Sequence, residues 1–286
     1  MRTAFDWLKG HGTENDFVLL PDPDASVHGD LAPRVVRALC HRRRGIGADG
    51  VLRVVRTRAY AEREPLAAAV ADRTEWFMDY RNADGSVSEM CGNGVRVFAR
   101  HLVEEGLADP AETLPIGTRG GVKVARFDSD GLITVDMGPG EVQGDVEIGV
   151  GDRSWKASRI SMGNPHAVVM VDDLAEAGPL AEPPVYDPAD FPQGVNVEFV
   201  REVAARHVAM RVFERGSGET RSCGTGACAA ALAAAAVEGG GKPQLWRVDV
   251  PGGTLYVHWL DDGHLELGGP AVLGVRGRLE PAWLGL

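Results

Sequence analysis

Two short stretches of this chain carry residues able to move a proton on and off carbon: Cys91-Gly92-Asn93-Gly94 and Cys223-Gly224-Thr225-Gly226, 132 positions apart. Each follows a strand-like run and opens a helix-like one. A cysteine at such a junction sits among backbone N–H groups with no intrahelical acceptor, at the positive end of a helix dipole. Both conditions favour the thiolate. Two such thiols facing one pocket form a matched acid and base, which is the chemistry of a racemase that needs no cofactor. The flanking glycines leave room for a ligand carboxylate to reach the helix start.

Taken alone, the first stretch reads equally well as a helix start that happens to hold a cysteine. The second adds weight. A strand ending at Phe213 delivers Glu214-Arg215 into the glycine-rich loop Gly216-Ser217-Gly218, which leads to Cys223. Cys40, at the end of an apolar stripe, and Cys228, inside the second helix, read as packing residues. Four cysteines in a chain of this length are too few for a disulfide scaffold, and their spacing lacks the partner pair of a zinc site. None of the four lysines stands in a recognisable Schiff-base or phosphate-binding setting. No metal and no organic cofactor are therefore expected.

The elements that must position these residues fall into two similar halves. In the first, apolar spacing predicts a helix over Leu31 to Cys40, strands at Phe17–Leu20, Val51–Val55 and Glu75–Tyr80, and an amphipathic helix over Val95 to Leu107. Arg56 to Thr74 is charged, contains Pro65 and reads as an exposed excursion. Two short strands flank a turn at Asp128-Ser129-Asp130-Gly131. In the second half, strands at Ser158–Ser161, Ala167–Val171, Val195–Val200 and Val208–Phe213 precede the alanine-rich helix. Short strands at Trp246–Val250, Gly253–Trp259 and Leu265–Leu267 follow it. Neither half shows the β-α-β alternation of a doubly wound fold. Gly45-Ile46-Gly47-Ala48-Asp49-Gly50 is a literal G-x-G-x-x-G, but a helix precedes it and a strand follows, the reverse of a dinucleotide site.

The balance of the chain narrows its partners. With 44% hydrophobic and 25% charged residues and a net charge of −11, a globular protein is expected, without nucleic acid or membrane as partner. A small anionic substrate held by local donors fits that balance. The longest apolar run, Ala227 to Val237, is too short to span a bilayer. Met1 to Asp6 shows no apolar leader, so a cytoplasmic, reduced protein is expected.

Several of these pieces, in order, carry a resemblance to the diaminopimelate epimerase family along nearly the whole chain. They are His11-Gly12-Thr13-Glu14-Asn15-Asp16-Phe17, Arg44 to Gly50, Asn82-Ala83-Asp84-Gly85, Met90 to Gly94, Gly163-Asn164-Pro165-His166, Val195-Asn196-Val197-Glu198-Phe199, Glu214-Arg215-Gly216 and Cys223 to Gly226. The resemblance implies an α+β fold of two pseudo-symmetric domains, each a mixed strand barrel around a central helix, with the active site in the cleft. The expected domains are residues 1–133 with 273–286, carrying Cys91, and residues 134–272, carrying Cys223. The segment Val272 to Leu279 is expected to return to the first.

The family's roles carry over by motif. Cys91 and Cys223 become thiolate base and thiol acid, exchanging roles with direction. The amides of Gly92, Asn93, Gly224 and Thr225 bind the reacting carboxylate, and Glu214 pairs with the α-ammonium. Asn15, Asn82, Asn164, Asn196 and Arg215 take the remaining polar groups, with His166 as an auxiliary close to the site. The implied reaction interconverts LL- and meso-2,6-diaminoheptanedioate for lysine and peptidoglycan synthesis, with an amino acid as the small-molecule partner and a homodimer left open. Many family members carry Gln where this chain has Gly50, and the Arg56–Thr74 excursion is longer than the usual form. Rival readings are a racemase of the same fold acting on proline, hydroxyproline or histidine, a cysteine hydrolase, and a thiol redox protein. Arg215 with four asparagines favours a substrate with a second carboxylate, which proline lacks.

Overall fold

A computed structural model describes residues 4–239 and 241–284. The chain divides into two compact units. One takes in the chain as far as Val135 and again from Pro270; the other is Asp136–Gly269.

In the first unit the chain runs β1 (Phe5–Gly12), β2 (Asn15–Pro21), α1 (Pro33–Cys40), β3 (Gly50–Arg56), the short turns α2 (Thr57–Tyr60) and α3 (Pro65–Ala68), and β4 (Trp76–Asn82). Then come α4 (Gly92–Glu104), β5 (Leu114–Thr118), β6 (Gly121–Phe127) and β7 (Ile133–Pro139), which runs on into the second unit from Asp136. Strand β3 is buried along almost its whole length, which is why it reads as a continuous apolar run rather than an alternating one. Pairing is antiparallel for β1–β2, β3–β4, β5–β6 and β6–β7, and parallel for β2–β3 and β4–β5. The last strand of the chain, Val272–Leu279, pairs antiparallel with β1. Strands β1 to β6 and the last strand all touch α4, whose Val95, Phe98 and Leu102 are fully buried.

The second unit repeats the pattern with β8 (Glu141–Val150), β9 (Arg153–Ser161), β10 (Pro165–Met170), β11 (Asn196–Ala204), β12 (His207–Glu214), the short β13 (Gly218–Thr220), α5 (Gly224–Glu238), β14 (Gln244–Val250), β15 (Gly253–Trp259) and β16 (His264–Gly269). The closing strand of the first unit is β17. Strands β8–β9, β9–β10, β11–β12, β14–β15 and β15–β16 are antiparallel, and β10–β11 and β12–β14 parallel. That is the order of signs found in β17–β1–β2–β3–β4–β5–β6–β7. Helix α5 is buried on nearly every side and touches β9 to β12 and β14 to β16. Its alanines combine high helix propensity with small size, so strands can close around it.

Three sequence expectations need correction. The Arg56–Thr74 segment is not simply exposed. Its turns put Tyr60, Ala67 and Val70 into a small core with Ala25, Val55 and Phe77, and Arg119 Nε donates to Glu64 at 2.7 Å. Charged residues and small alanines hide any apolar period, but a few buried side chains suffice to anchor it. The ribbon β8–β9 starts well before the expected Ser158, because its first half is exposed and carries no alternation to read. Strand β5 also escaped the reading, since Pro115 and Gly117 mask its periodicity.

Candidate active site

Both cysteines cap their helices. Cys91 lies in extended backbone (φ −144°, ψ 119°) before α4, and its sulfur accepts from Gly94 N–H at 3.4 Å. Cys223 has nearly the same geometry before α5 (φ −126°, ψ 119°), with Gly226 N–H donating at 3.3 Å. The first N–H groups of a helix lack intrahelical acceptors, so a side-chain acceptor at this position holds the start of the helix in place. Gly92 and Gly224 are the first residue of each helix.

Around Cys91 the structure brings together Asn15 and Asn93. The thiol donates to Asn15 Oδ1 at 3.6 Å, and Asn93 Nδ2 donates to the same oxygen at 3.2 Å. The Asn15 amide is oriented from behind, its Nδ2 donating to Asp49 Oδ2 at 2.9 Å, while Arg42 donates to Asp49 Oδ1 at 2.6 Å. Asp49 was visible only as part of the G-x-G-x-x-G run, and its distance in sequence from Asn15 hid this role. Asn82 ends β4 opposite Gly50 and donates to Ser86 Oγ at 3.0 Å. A Cβ at Gly50 would lie 2.7 Å from both Arg81 O and the Tyr80 ring. The position has no room for a side chain unless both the Tyr80 ring and the β4 backbone at Arg81 move.

Around Cys223 the network is denser and charged. The thiol lies beside the Glu214 carboxylate and 3.6 Å from Thr225 Oγ1. Asn164 Nδ2 donates to Thr225 Oγ1 at 3.4 Å, and Asn164 Oδ1 lies 3.1 Å from His166 Nε2. His166 Nδ1 lies 2.7 Å from Glu198 Oε1, with both side chains fully buried. The Thr220 hydroxyl donates to Glu214 Oε1 across the β12–β13 turn. Asn196 Oδ1 accepts from the Arg215 backbone N–H at 2.9 Å, and the exposed Arg215 guanidinium donates to Gln193 O at 3.0 Å. Glu198 and Thr220 were missed as site residues. Glu198 stood in a quoted motif, but only the β10–β11 pairing sets it beside His166.

The expectation that both helix starts favour the thiolate fails at Cys223. Burial pushes its thiol well above the ordinary range, and the Glu214 and Glu198 carboxylates push it further. The Thr225 hydroxyl and the Gly226 N–H oppose this and lose. Burial likewise pushes Glu214 up to about 6, aided by Glu198 and opposed by Thr220. Among the described residues no group of three or more His, Cys, Asp or Glu is arranged to hold a metal ion, and no helix is long and apolar enough to cross a membrane.

The chain matches the profile of one family, diaminopimelate epimerase, over residues 7–142 and 158–273. It is 54% identical to the diaminopimelate epimerase of Streptomyces coelicolor, over 99% of this chain and 98% of that one. The enzymes of Thermobifida fusca (53%, over 95% and 96%) and Mycolicibacterium smegmatis (48%, over 97% of each) bear the same name. Among solved structures, a hydroxyproline epimerase from Agrobacterium vitis superposes with a TM-score of 0.70 at 17% identity, over 100% of this chain and 96% of that one. A phenazine biosynthesis protein of the PhzF family from Bacillus anthracis gives 0.68 at 16%, over 97% and 99%. At such identities these two share the fold alone. With a family profile spanning most of its length and relatives above half identical end to end, the chain belongs to the diaminopimelate epimerase family.

Proposed function

We propose that the chain interconverts LL- and meso-2,6-diaminoheptanedioate by two-base proton transfer without a cofactor, in the cytoplasm, where its thiols stay reduced. The observation that carries this reading is that one device is built twice: a cysteine capping the central helix of each unit, followed by Gly-x-Gly. A carbon acid inverted without a cofactor needs two acid–base groups, one for each face. One thiolate takes the α-proton, and the other thiol returns a proton to the opposite face. The amides of Gly92, Asn93, Gly224 and Thr225 bind the carboxylate that gains charge as the proton leaves, with the positive ends of two helix dipoles behind them. Glu214 pairs with the α-ammonium. Asn15, Asn82, Asn164, Asn196 and Arg215 hold the other polar groups, and Arg215 takes the distal carboxylate in a two-bond fork.

The test is proton exchange and inversion in heavy water, followed by NMR, over a panel of amino acids. Diaminopimelate should react far faster than proline, hydroxyproline, histidine or lysine. Equal turnover of an amino acid without a second carboxylate would instead favour a racemase with another substrate. Activity should survive exhaustive dialysis against chelator, with no visible absorbance. Activity recovered only on adding zinc or pyridoxal phosphate would overturn the cofactor-free mechanism.

Glu214 adds a pH signature. With its carboxyl near 6 in the free protein, kcat/KM should fall as pH drops below about 6, because the neutral acid no longer pairs with an ammonium. A carboxyl raised from 4.5 binds its proton more tightly folded than unfolded, so its ionisation weakens folding as pH rises through 6. Glu214→Gln should therefore lose most activity yet melt at the same or a higher temperature at pH 8. A melting point several degrees lower would contradict the buried-carboxylate account.

A further inference from the structure

Strand register aligns the two units residue by residue. Phe17 pairs with Gly50 and Leu19 with Leu52 across β2–β3, and His166 pairs with Asn196 and Val168 with Glu198 across β10–β11. Phe17 thus corresponds to His166 and Leu52 to Glu198. The helix starts agree. A Cβ on Gly94 would meet Leu52 Cδ2 at 3.3 Å, Cys91 Cβ at 3.5 Å and Phe17 Cζ at 3.7 Å. A Cβ on Gly226 would meet Glu198 Oε1 at 2.7 Å and the Cβ and Sγ of Cys223 at 3.2 and 3.3 Å. One helix start rests on Leu52 and Phe17, the other on Glu198, which His166 holds from behind.

An apolar pair therefore suffices to seat such a helix. A buried, hydrogen-bonded carboxylate–imidazole pair is a costly substitute, commonly no better for stability than hydrophobic residues of similar volume. This one also leaves Glu198 Oε2 buried without a partner. The His166 ring lies between two oxygens, with Nδ1 2.7 Å from Glu198 Oε1 and Nε2 3.1 Å from Asn164 Oδ1. The groups facing Cys223 are Glu214 from β12, Glu198 from β11 and the α5 N-terminus, with Thr225 beside the sulfur and His166 of β10 behind Glu198.

We propose that Glu198, locked to His166, is a positioning residue that makes the two thiols inequivalent: it keeps Cys223 as the proton donor of the resting protein and leaves Cys91 as the stronger candidate acceptor. This rests on the two-base reading above. In the direction that starts from this form, Cys91 takes the α-proton and the Cys223 S–H bond breaks to supply the new one, leaving a Cys91 thiol and a Cys223 thiolate. The thiolate forms where the α5 N–H groups can offset its charge. The opposite direction begins from the swapped form, which the Glu198 charge disfavours.

The experiment is site-resolved alkylation with iodoacetamide as a function of pH, each cysteine peptide quantified by mass spectrometry. The pH of half-maximal rate is read rather than the rate itself, so that burial of Cys223 does not bias the comparison. In the wild type Cys223 should titrate above Cys91. In Glu198→Gln the Cys223 midpoint should fall by about one pH unit or more while that of Cys91 stays. The double variant His166→Phe with Glu198→Leu copies the first unit's pair into the second. It should melt no lower than the wild type, and its two midpoints should converge. An unmoved Cys223 midpoint in either folded variant, or an equal shift at Cys91, overturns the proposal. The readout needs no turnover. Lost epimerase activity with unmoved midpoints sinks this inference alone, whereas the expected titration in a protein that does not epimerise diaminopimelate sinks the functional reading alone.

Discussion

Cys91→Ala and Cys223→Ala are each expected to lose at least about 10²–10⁴-fold of kcat, the usual contribution of a positioned acid or base. An α-proton beside a carboxylate is a very weak acid, so no solvent species substitutes well for either thiol. The loss should be chemical rather than structural. Each sulfur accepts one N–H bond at its helix start, and removing a capping side chain typically costs about 1 kcal/mol, too little to unfold a domain. Circular dichroism and melting should therefore stay close to wild type. A serine at either position can still accept the capping bond but is a far poorer acid and base, and should fall nearly as far as alanine. Each single variant keeps one thiol. It can exchange the α-proton of the isomer presenting hydrogen to that side, without inverting the centre. Near-normal inversion in either variant would remove the two-base mechanism.

The second large effect is expected from Arg215→Ala, the residue proposed to hold the distal carboxylate. Leaving a bound carboxylate and its neighbouring amides unpaired costs about 2–5 kcal/mol, or roughly 30- to 5,000-fold in kcat/KM. The guanidinium is exposed, and water screening puts the expectation toward the lower end of that range. The arginine is held ready. Asn196 fixes its backbone N–H, Gln193 O accepts from its fork, and its stem lies over Gly194, where a Cβ would come within 2.9 Å of Cδ. Gly194 has φ +83°, a conformation that also favours glycine. The loss should appear for diaminopimelate and shrink its advantage over amino acids with one carboxylate, and Arg215→Lys should recover only part of it. A variant as selective as the wild type would place the distal carboxylate elsewhere.

What the sequence determined by itself was local and periodic. The helix starts at Cys91 and Cys223 were legible because Gly-x-Gly after a strand-like run and before an apolar or alanine-rich run leaves few other conformations. The failure of Gly45 to Gly50 as a nucleotide loop was legible for the same reason: α1 precedes it and β3 follows. The exposed start of β8 was not legible, since a strand with no buried face has no alternation to read. Nor was the anchoring of Arg56–Thr74, where three buried apolar side chains are outnumbered by charges.

The electrostatics of the site belonged to tertiary structure. A helix N-terminus taken alone favours a thiolate, and that local argument is sound as far as it reaches. At Cys223 it is outweighed by burial and by two carboxylates, one of them Glu198, 25 positions earlier in the chain and brought in by the β10–β11–β12 ladder. The correspondence of Leu52 to Glu198 likewise exists only through strand register, because the spacing between equivalent residues changes from 149 positions at Phe17 and His166 to 132 at the cysteines. Hydrophobic period and turn chemistry act over a few residues and can be read along a line. Desolvation and Coulomb interaction act through space over several ångströms, and only the fold decides which charges lie within that distance.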